Sequence, residues 1–405
     1  MIEFAQAVEI TMANLVSGKQ GINLLENATG KILANDIFND RDTPPFNKSA
    51  VDGYAFSLGS YSGIPMGILE TIPAGKAPLQ IMREGFCSKI MTGAMVPEDA
   101  DCVVMVEDTY CTNGKVTIEQ PKKGVSKWDN ICLKGEDLRQ GQLLLSKGTL
   151  LRPEHIAVLA SAGIWQVPVI EYPSAAILST GDELKEPAET VEYYQIRNSN
   201  GWQLLSQAKR AGFKATYMGI APDSASGLEK SISAAMDKHD VVVMTGGVSM
   251  GEFDFVPDVL TSLGFEIMFD RVAVQPGKPS TFAVRYGKNG ADETASKAVF
   301  ALPGNPVSSY LQFELLVRPY MVACAGGAYS PLKLHLPLSK PYNRRNTARM
   351  AFVPVSVMPD GSCQPVVYNG SAHIHAMTAA NGVMTIPRGV TGYNIGEVAE
   401  VIFPG

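Results

Sequence analysis

The chain has 405 residues, 45% of them apolar and 18% charged, with a net charge of −6 at neutral pH. That length exceeds one ordinary core and implies roughly two to four domains, and the apolar share is enough to bury them, so disorder is not expected. Lys and Arg are scattered among Asp and Glu without a basic stripe, which argues against nucleic acid as a partner, and no apolar run approaches the roughly 20 residues that span a bilayer.

From the start, Glu3 to Leu15 reads as an amphipathic helix, without the basic and long apolar regions of a signal peptide. A short helix or turn and then a strand follow in "LLENATGKILANDIF", and "RDTPPFNKSAVDGYAF" marks a change of structure at its prolines and glycine. From there to about Trp128 the segments are short and rich in turns, as in "FCSKIMTGAMVPEDADCVVMVEDTY", which predicts a small all-β domain. Residues 135–170 return to helical spacing, with Pro153 at a helix start and Gly163 just beyond its end.

From about Ser174 apolar strands alternate with helices. "AAILST" and "DVVVMT" predict strands buried on both faces, and "NSNGWQLLSQAKRAG" predicts a helix capped by Asn198 or Ser199 and stopped by Gly212. Asp223 is placed to cap the helix in "PDSASGLEKSISAAMDKH", another helix is expected from about Asp254 to Ser262, and a last one from about Pro306 to Cys324. Such an order indicates a doubly wound α/β sheet, whose ligands bind beyond the carboxyl ends of its strands. After "AGGAYSPL" the helical signal stops, and "KLHLPLSKPY", "RMAFVPVSVM", "QPVVY" and "NIGEVAEVIF" predict a C-terminal β-domain. His373 and His375 there are spaced to share one strand face rather than to hold a metal. Six cysteines lie far apart with no C-x-x-C pair, which fits thiols in a reducing compartment and places the protein in the cytoplasm.

Four loops fall at strand ends of the α/β region: "STGDEL" (179–184), "TGGVSMGEFD" (245–254), "QPGKP" (275–279) and "LPGNP" (302–306). Their convergence on one crevice would gather Asp182, Glu183 and Asp254, one ammonium from Lys278, and many backbone N–H groups. That makeup suits a phosphorylated ligand bridged to Mg2+, because carboxylates alone repel phosphate and a cation resolves the conflict. Each loop taken singly also reads as a plain turn, with Asp182 and Glu183 charging a helix start. Gly247-Val-Ser249-Met-Gly251 matches the G-x-S-x-G nucleophile pattern, but residues separate Ser249 from the next helix, and the histidines downstream (His335, His373, His375) all fall in the C-terminal domain. A serine hydrolase is therefore disfavoured.

The same loops, with "PPFNKSAVDGYAF", "IMTGAMVPEDADCVVMVED", "GEDL" and "LPGNPVSS", resemble the molybdopterin molybdenumtransferases of molybdenum cofactor biosynthesis, the MoeA family, in order along almost the whole chain. The resemblance implies a multidomain α/β protein. Residues 1–44 and 131–173 would form a discontinuous helical domain and 45–130 an inserted β-domain; 174–326 would be the α/β molybdopterin-binding domain and 327–405 a C-terminal β-barrel-like domain. It implies a homodimer with the active site between subunits. The implied reaction cleaves adenylyl-molybdopterin with release of AMP and inserts molybdate at the dithiolene, with Mg2+ required.

Carried over by position, Glu183 and Asp254 would hold the cation. Gly246, Gly247 and Ser249 would line the pyrophosphate path with backbone and hydroxyl donors, beside Asp182 and Asp223. Lys278 would attract molybdate, and Pro303, Asn305 and Pro306 would shape the pocket wall. Asp52, Thr92 and Asp137 match functional positions presented to the other subunit, and Arg349 and Ser371 match positions that contact molybdate. Two departures stand out: Gln275 where many members have lysine, and "ARMAFVP", with Ala351 and Pro354 where many have an acid and a second arginine. The rival readings are the preceding step, adenylylation of molybdopterin, and a non-catalytic scaffold on the same architecture. A molybdopterin-adenylylating enzyme and molybdoenzyme maturation proteins are the implied partners.

Overall fold

The computed structural model describes residues 1–119, 124–247, 255–287, 295–367 and 370–404. By packing, the chain divides into two compact units, one of residues 1–35, 147–153 and 166–405 and one of residues 36–146 and 154–165.

The first unit is built around a six-stranded sheet. Its strands are β1 (Ala175–Thr180), β2 (Ala215–Ala221), β3 (Val241–Thr245), β4 (Glu266–Arg271), β5 (Pro279–Tyr286) and β6 (Ala295–Leu302), in the spatial order β2-β1-β3-β6-β5-β4. The first four of that order run parallel, and β5 and β4 are antiparallel additions. The helices are α1 (Asn200–Arg210), α2 (Ala225–Lys238) and α3 (Val256–Ser262). Side chains alternate across a strand, so Ile177, Val243 and Phe300 pack on one face with Leu204 and Ala208 of α1. Ala176, Leu178, Val242 and Met244 pack on the other with Leu228 of α2 and Leu260 of α3. Both faces are covered, which is why "AAILS" and "VVVM" carry no polar alternation. Full burial of a residue such as Leu178 contributes about 2 kcal/mol.

The caps shape what the strand ends present. Asn198 takes the Gly201 N–H on its Oδ1 at 3.1 Å at the start of α1, while Ser199, the residue before the helix, makes no side-chain cap. At α2 the cap is Ser224, whose Oγ accepts from Gly227 N at 3.2 Å. This corrects the expectation for Asp223, one residue earlier, whose carboxylate is thereby left for other contacts. The last helical stretch runs as expected from Pro306 to Cys324, but as α4 (Pro306–Gln312), a π turn (Phe313–Val317) and α5 (Arg318–Cys324). The π turn carries Glu314, fully buried, with Arg210 at 2.5 Å and Arg318 at 3.0 Å.

The same unit holds a β-sheet in the order Val274–Gln275, Met350–Val357, Gly382–Ile386, Val398–Phe403, Leu332–Pro337, with Cys363–Pro365 paired to Met350–Val357. The wholly buried strand Gly382–Ile386 has no counterpart in the sequence reading. His373 and His375 do not share a strand: Ile374–Ala379 is a 3-10 helix, opened by a turn in which His373 N donates to Gly370 O at 3.1 Å. Val274–Gln275 pairs in parallel with Met350–Ala351, so a segment following β4 is an edge of the C-terminal sheet. At the N-terminus the helix Phe4–Ala13 is accompanied by a three-stranded sheet of Lys19–Leu24, Gln166–Glu171 and Ile32–Leu33, so this region is not purely helical.

The second unit contains a six-stranded sheet in the order Cys102–Met105, Gly53–Phe56, Phe86–Ile90, Met66–Ile72, Lys115–Ile118, Thr109–Thr112. Apolar clusters cover both faces, one with Ala55, Ile90 and Val103, the other with Tyr54, Phe56 and Val104. The helical spacing expected over residues 135–170 is realised only at Pro153–Ser161. Before it, Gly135, Gly141 and Gly148 adopt positive φ and turn the chain repeatedly, and Leu143–Leu145 pairs with Ile37–Phe38. The six cysteines are unpaired; burial pushes the thiols of Cys87, Cys102 and Cys324 up to about 12.

Candidate functional site

Three of the four strand-end loops line one cavity of about 600 Å³. Thr180, Gly181 and Glu183 lie at the end of β1, Thr245, Gly246 and Gly247 at the end of β3, and Pro303, Gly304, Asn305 and Pro306 after β6; Asp223 and Asn200 are also in the wall. The fourth loop lines a separate cavity of about 330 Å³ with Arg349, Gly370 and Ser371. Where one crevice was expected there are two, sharing Pro303 and Asn305. The partition follows from hydrogen bonding: Asn305 Nδ2 donates to Ser371 Oγ at 2.8 Å, and Val307 N donates to Ser371 O at 3.0 Å.

The first cavity is lined by the carboxylates of Glu183 and Asp223 and by Arg197. Thr180 Oγ1 donates to Asp223 Oδ1 at 3.4 Å, and Asp182 Oδ1 accepts from Asp223 N at 3.3 Å. Burial raises the Asp223 carboxyl above its ordinary value, and the nearby charges of Asp182 and Glu183 raise it further. Glu183 lies over Gly181, where a Cβ would stand 2.6 Å from the carboxylate oxygen. Gly246 has φ +94, and a Cβ there would stand 2.2 Å from Thr180 O. Both glycines therefore permit close approach. The Gly246 N–H is not offered to a ligand, as had been expected, because it donates to Leu302 O at 3.2 Å. The second cavity is cationic: Lys278 and Arg349 line it, no carboxylate does among the described residues, and Arg349 is oriented by a 3.1 Å bond from Nη1 to Val274 O.

The expected residues of the second unit form two places. Asp52 Oδ1 accepts from both the backbone N and the Oγ1 of Thr92, each at 2.7 Å, and these bonds hold its carboxyl below the ordinary value. Asp137 lines a different cavity of about 300 Å³ with Arg41, Lys48 and Glu136. Ser249 and Asp254 lie outside the described residues. Among the described residues no group of three or more His, Cys, Asp or Glu side chains is arranged to enclose a metal ion. The motifs passed over Asn200, which bonds to two of the loops, at Thr245 and Gly304; its one signal was a position at the helix start in "NSNG".

Family models match the chain in series: a MoeA N-terminal region (domain I and II) over residues 2–163, a probable molybdopterin binding domain over 176–323, and a MoeA C-terminal region (domain IV) over 333–403. A molybdopterin molybdenumtransferase of Staphylococcus aureus is 34% identical over 394 residues, covering 93% of this chain and 90% of the relative. The chain belongs to the MoeA family. A Staphylococcus epidermidis member of the same name is 33% identical and covers 99% of this chain and 95% of its own. The crystal structure of a MoeA protein from Pyrococcus horikoshii superposes with a TM-score of 0.81 at 30% identity, over 100% of this chain and 99% of that one. A second structure of a MoeA protein from that organism gives a TM-score of 0.83 at 26% identity, over the full length of both. The MoeA architecture inferred from scattered motifs thus extends over the whole chain.

Proposed function

We propose that this protein is a molybdopterin molybdenumtransferase that cleaves adenylyl-molybdopterin, releases AMP and transfers molybdate to the dithiolene. The observation that carries the reading is the pair of adjoining cavities that share Pro303 and Asn305, one with the carboxylates of Glu183 and Asp223 beside Arg197 and the other with Lys278 and Arg349 and no carboxylate among the described residues. A pyrophosphate ligand bridged to a divalent cation suits the first, which offers both carboxylates and Arg197, and an oxyanion suits the one lined by Lys278 and Arg349. Family membership supports the same assignment.

Asp182, Glu183 and Asp223 do not by themselves enclose an ion, but burial and the charges of Asp182 and Glu183 hold the Asp223 carboxyl above its ordinary value, a crowding of negative charge that Mg2+ would offset. Glu183 would hold the ion together with Asp254. When bound, it neutralises phosphate charge and polarises the bond to be cleaved. The chain's own groups do the rest. Gly247 and Ser249 would line the path of the phosphates, and Gly181 and Gly246 let Glu183 and the end of β1 approach closely. Lys278 and Arg349 bind and orient the oxyanion beside Asn305 and Ser371. Gln275 lines the same cavity with a neutral amide, so among the described residues its field for an anion rests on Lys278 and Arg349.

In this reading the protein is a cytoplasmic homodimer, with Asp52, Thr92 and Asp137 presented to the partner's α/β domain and four domains divided as the motifs imply. No described helix is long and apolar enough to cross a membrane. The experiment is incubation of the purified protein with adenylyl-molybdopterin, Mg2+ and molybdate. Release of AMP above a protein-free control is expected, and release no faster than in that control would refute the assignment.

A further inference from the structure

Asn200 opens α1 and is bonded to two of the loops that line the first cavity. Its Nδ2 donates to Gly304 O at 2.6 Å and to Thr245 Oγ1 at 3.0 Å, and Thr245 Oγ1 donates in turn to Pro303 O at 2.9 Å. A carbonyl oxygen accepts only, so Gly304 fixes which way the amide faces: its NH2 group toward the loop and its Oδ1 away. That Oδ1 is buried and without a hydrogen-bond partner among the described residues. Gln203, on the same helix, repeats the pattern, with Nε2 donating to Pro306 O at 3.3 Å and Oε1 buried and unpartnered. Buried polar atoms are almost always paired, so a helix that leaves two amide oxygens unpaired while aiming both amide nitrogens at one loop is arranged around that loop. The loop also packs backbone to backbone on the end of β3, where a Cβ on Gly304 would lie 3.7 Å from Gly246 Cα. Having no side chain of its own there, Gly304 is held by the amide of Asn200.

We propose that Asn200 is a positioning residue, which sets the loop 302–306 and, through Asn305, the wall shared by both cavities. The inference rests on the proposed transferase reading for its kinetic consequence and on geometry alone for its structural one. Asn200→Ala removes the donor. Asn200→Asp keeps the size but turns an oxygen toward Gly304 O, so a residue that merely fills space would tolerate it.

The test is backbone hydrogen exchange over residues 303–309 of the full chain without ligand, together with AMP-release kinetics. Both variants should exchange about tenfold faster or more at Val307 and Ser309, while strands β1 and β3 stay protected, and kcat/KM should fall about 10- to 100-fold. Thr245→Val should add little in the Asn200→Ala background, because both act on one hydrogen-bonded unit. Unchanged exchange in both variants, or an Asn200→Asp protein that behaves as wild type, would overturn the proposal. So would exchange that rises across the whole sheet rather than at the loop. If the wild-type protein releases no AMP, the functional reading fails while the exchange measurement still decides this one.

Discussion

Asp223 shows how a single side chain can be misjudged from sequence and still matter at its position. In sequence it was a helix cap and a neighbour of the phosphate path; the cap is Ser224, and Asp223 faces Asp182 and Glu183 instead. Sequence spacing cannot separate adjacent Asp and Ser as caps, because either oxygen reaches the N–H groups of the first turn. Burial and the neighbouring Asp182 and Glu183 raise its carboxyl above the ordinary value, so the protonated form is favoured by folding. The stability it lends is full below the ordinary value and is lost as pH rises through the raised one. Asp223→Asn should therefore raise Tm at neutral pH, with the gain vanishing near pH ~3; equal gains at both values would refute the repulsion. For Asp52 the sign reverses, since its value is lowered, first by the Thr92 backbone bond and then by the hydroxyl. Thr92→Val should move its carboxyl titration, followed by NMR, part of the way back up, leaving the backbone share in place.

At the scale of elements, the buried parallel strands were legible because their apolar runs are continuous and end in glycine. The strand Gly382–Ile386 was not: five residues between an Asn and a Pro carry no alternation, and only pairing with Met350–Val357 and Val398–Phe403 reveals it. Residues 135–152 misled in the other direction, since leucines at helical spacing are divided by glycines at positive φ. Two elements invite direct tests. Gly246→Ala forces a Cβ to 2.2 Å from Thr180 O at φ +94 and should cost about 2–4 kcal/mol in urea unfolding. A value near zero would mean that the end of β3 is looser than described. Glu314 in the π turn is fully buried between Arg210 and Arg318. Glu314→Ala should cost about 1–3 kcal/mol, because Arg210 is 43% exposed and Arg318 keeps its bond to Pro404 O, whereas a neutral result would show that water already screens both.

For the whole molecule, motif order along the chain carried the family, and physical reading of the loops gathered the carboxylates and the Lys278 ammonium into one expected crevice. The partition into two cavities was not legible, because it depends on Ser371, 66 residues from Asn305 in sequence, bonding to that loop. The proposed dimer has a consequence that each inactive variant alone cannot show. Asp52→Ala and Glu183→Ala subunits, mixed and allowed to exchange, should recover about a quarter of wild-type AMP release, since half the dimers are mixed and each has one intact site. No recovery, with exchange demonstrated, would place both residues in one subunit's site.

The central claim is that the two cavities act on one substrate to join molybdenum to the pterin. It is tested most directly by mass spectrometry of the pterin product after incubation with adenylyl-molybdopterin, Mg2+ and molybdate. A dithiolene-bound molybdenum, dependent on Lys278 and Glu183, is the predicted product; AMP release that leaves the pterin free of molybdenum would contradict the account.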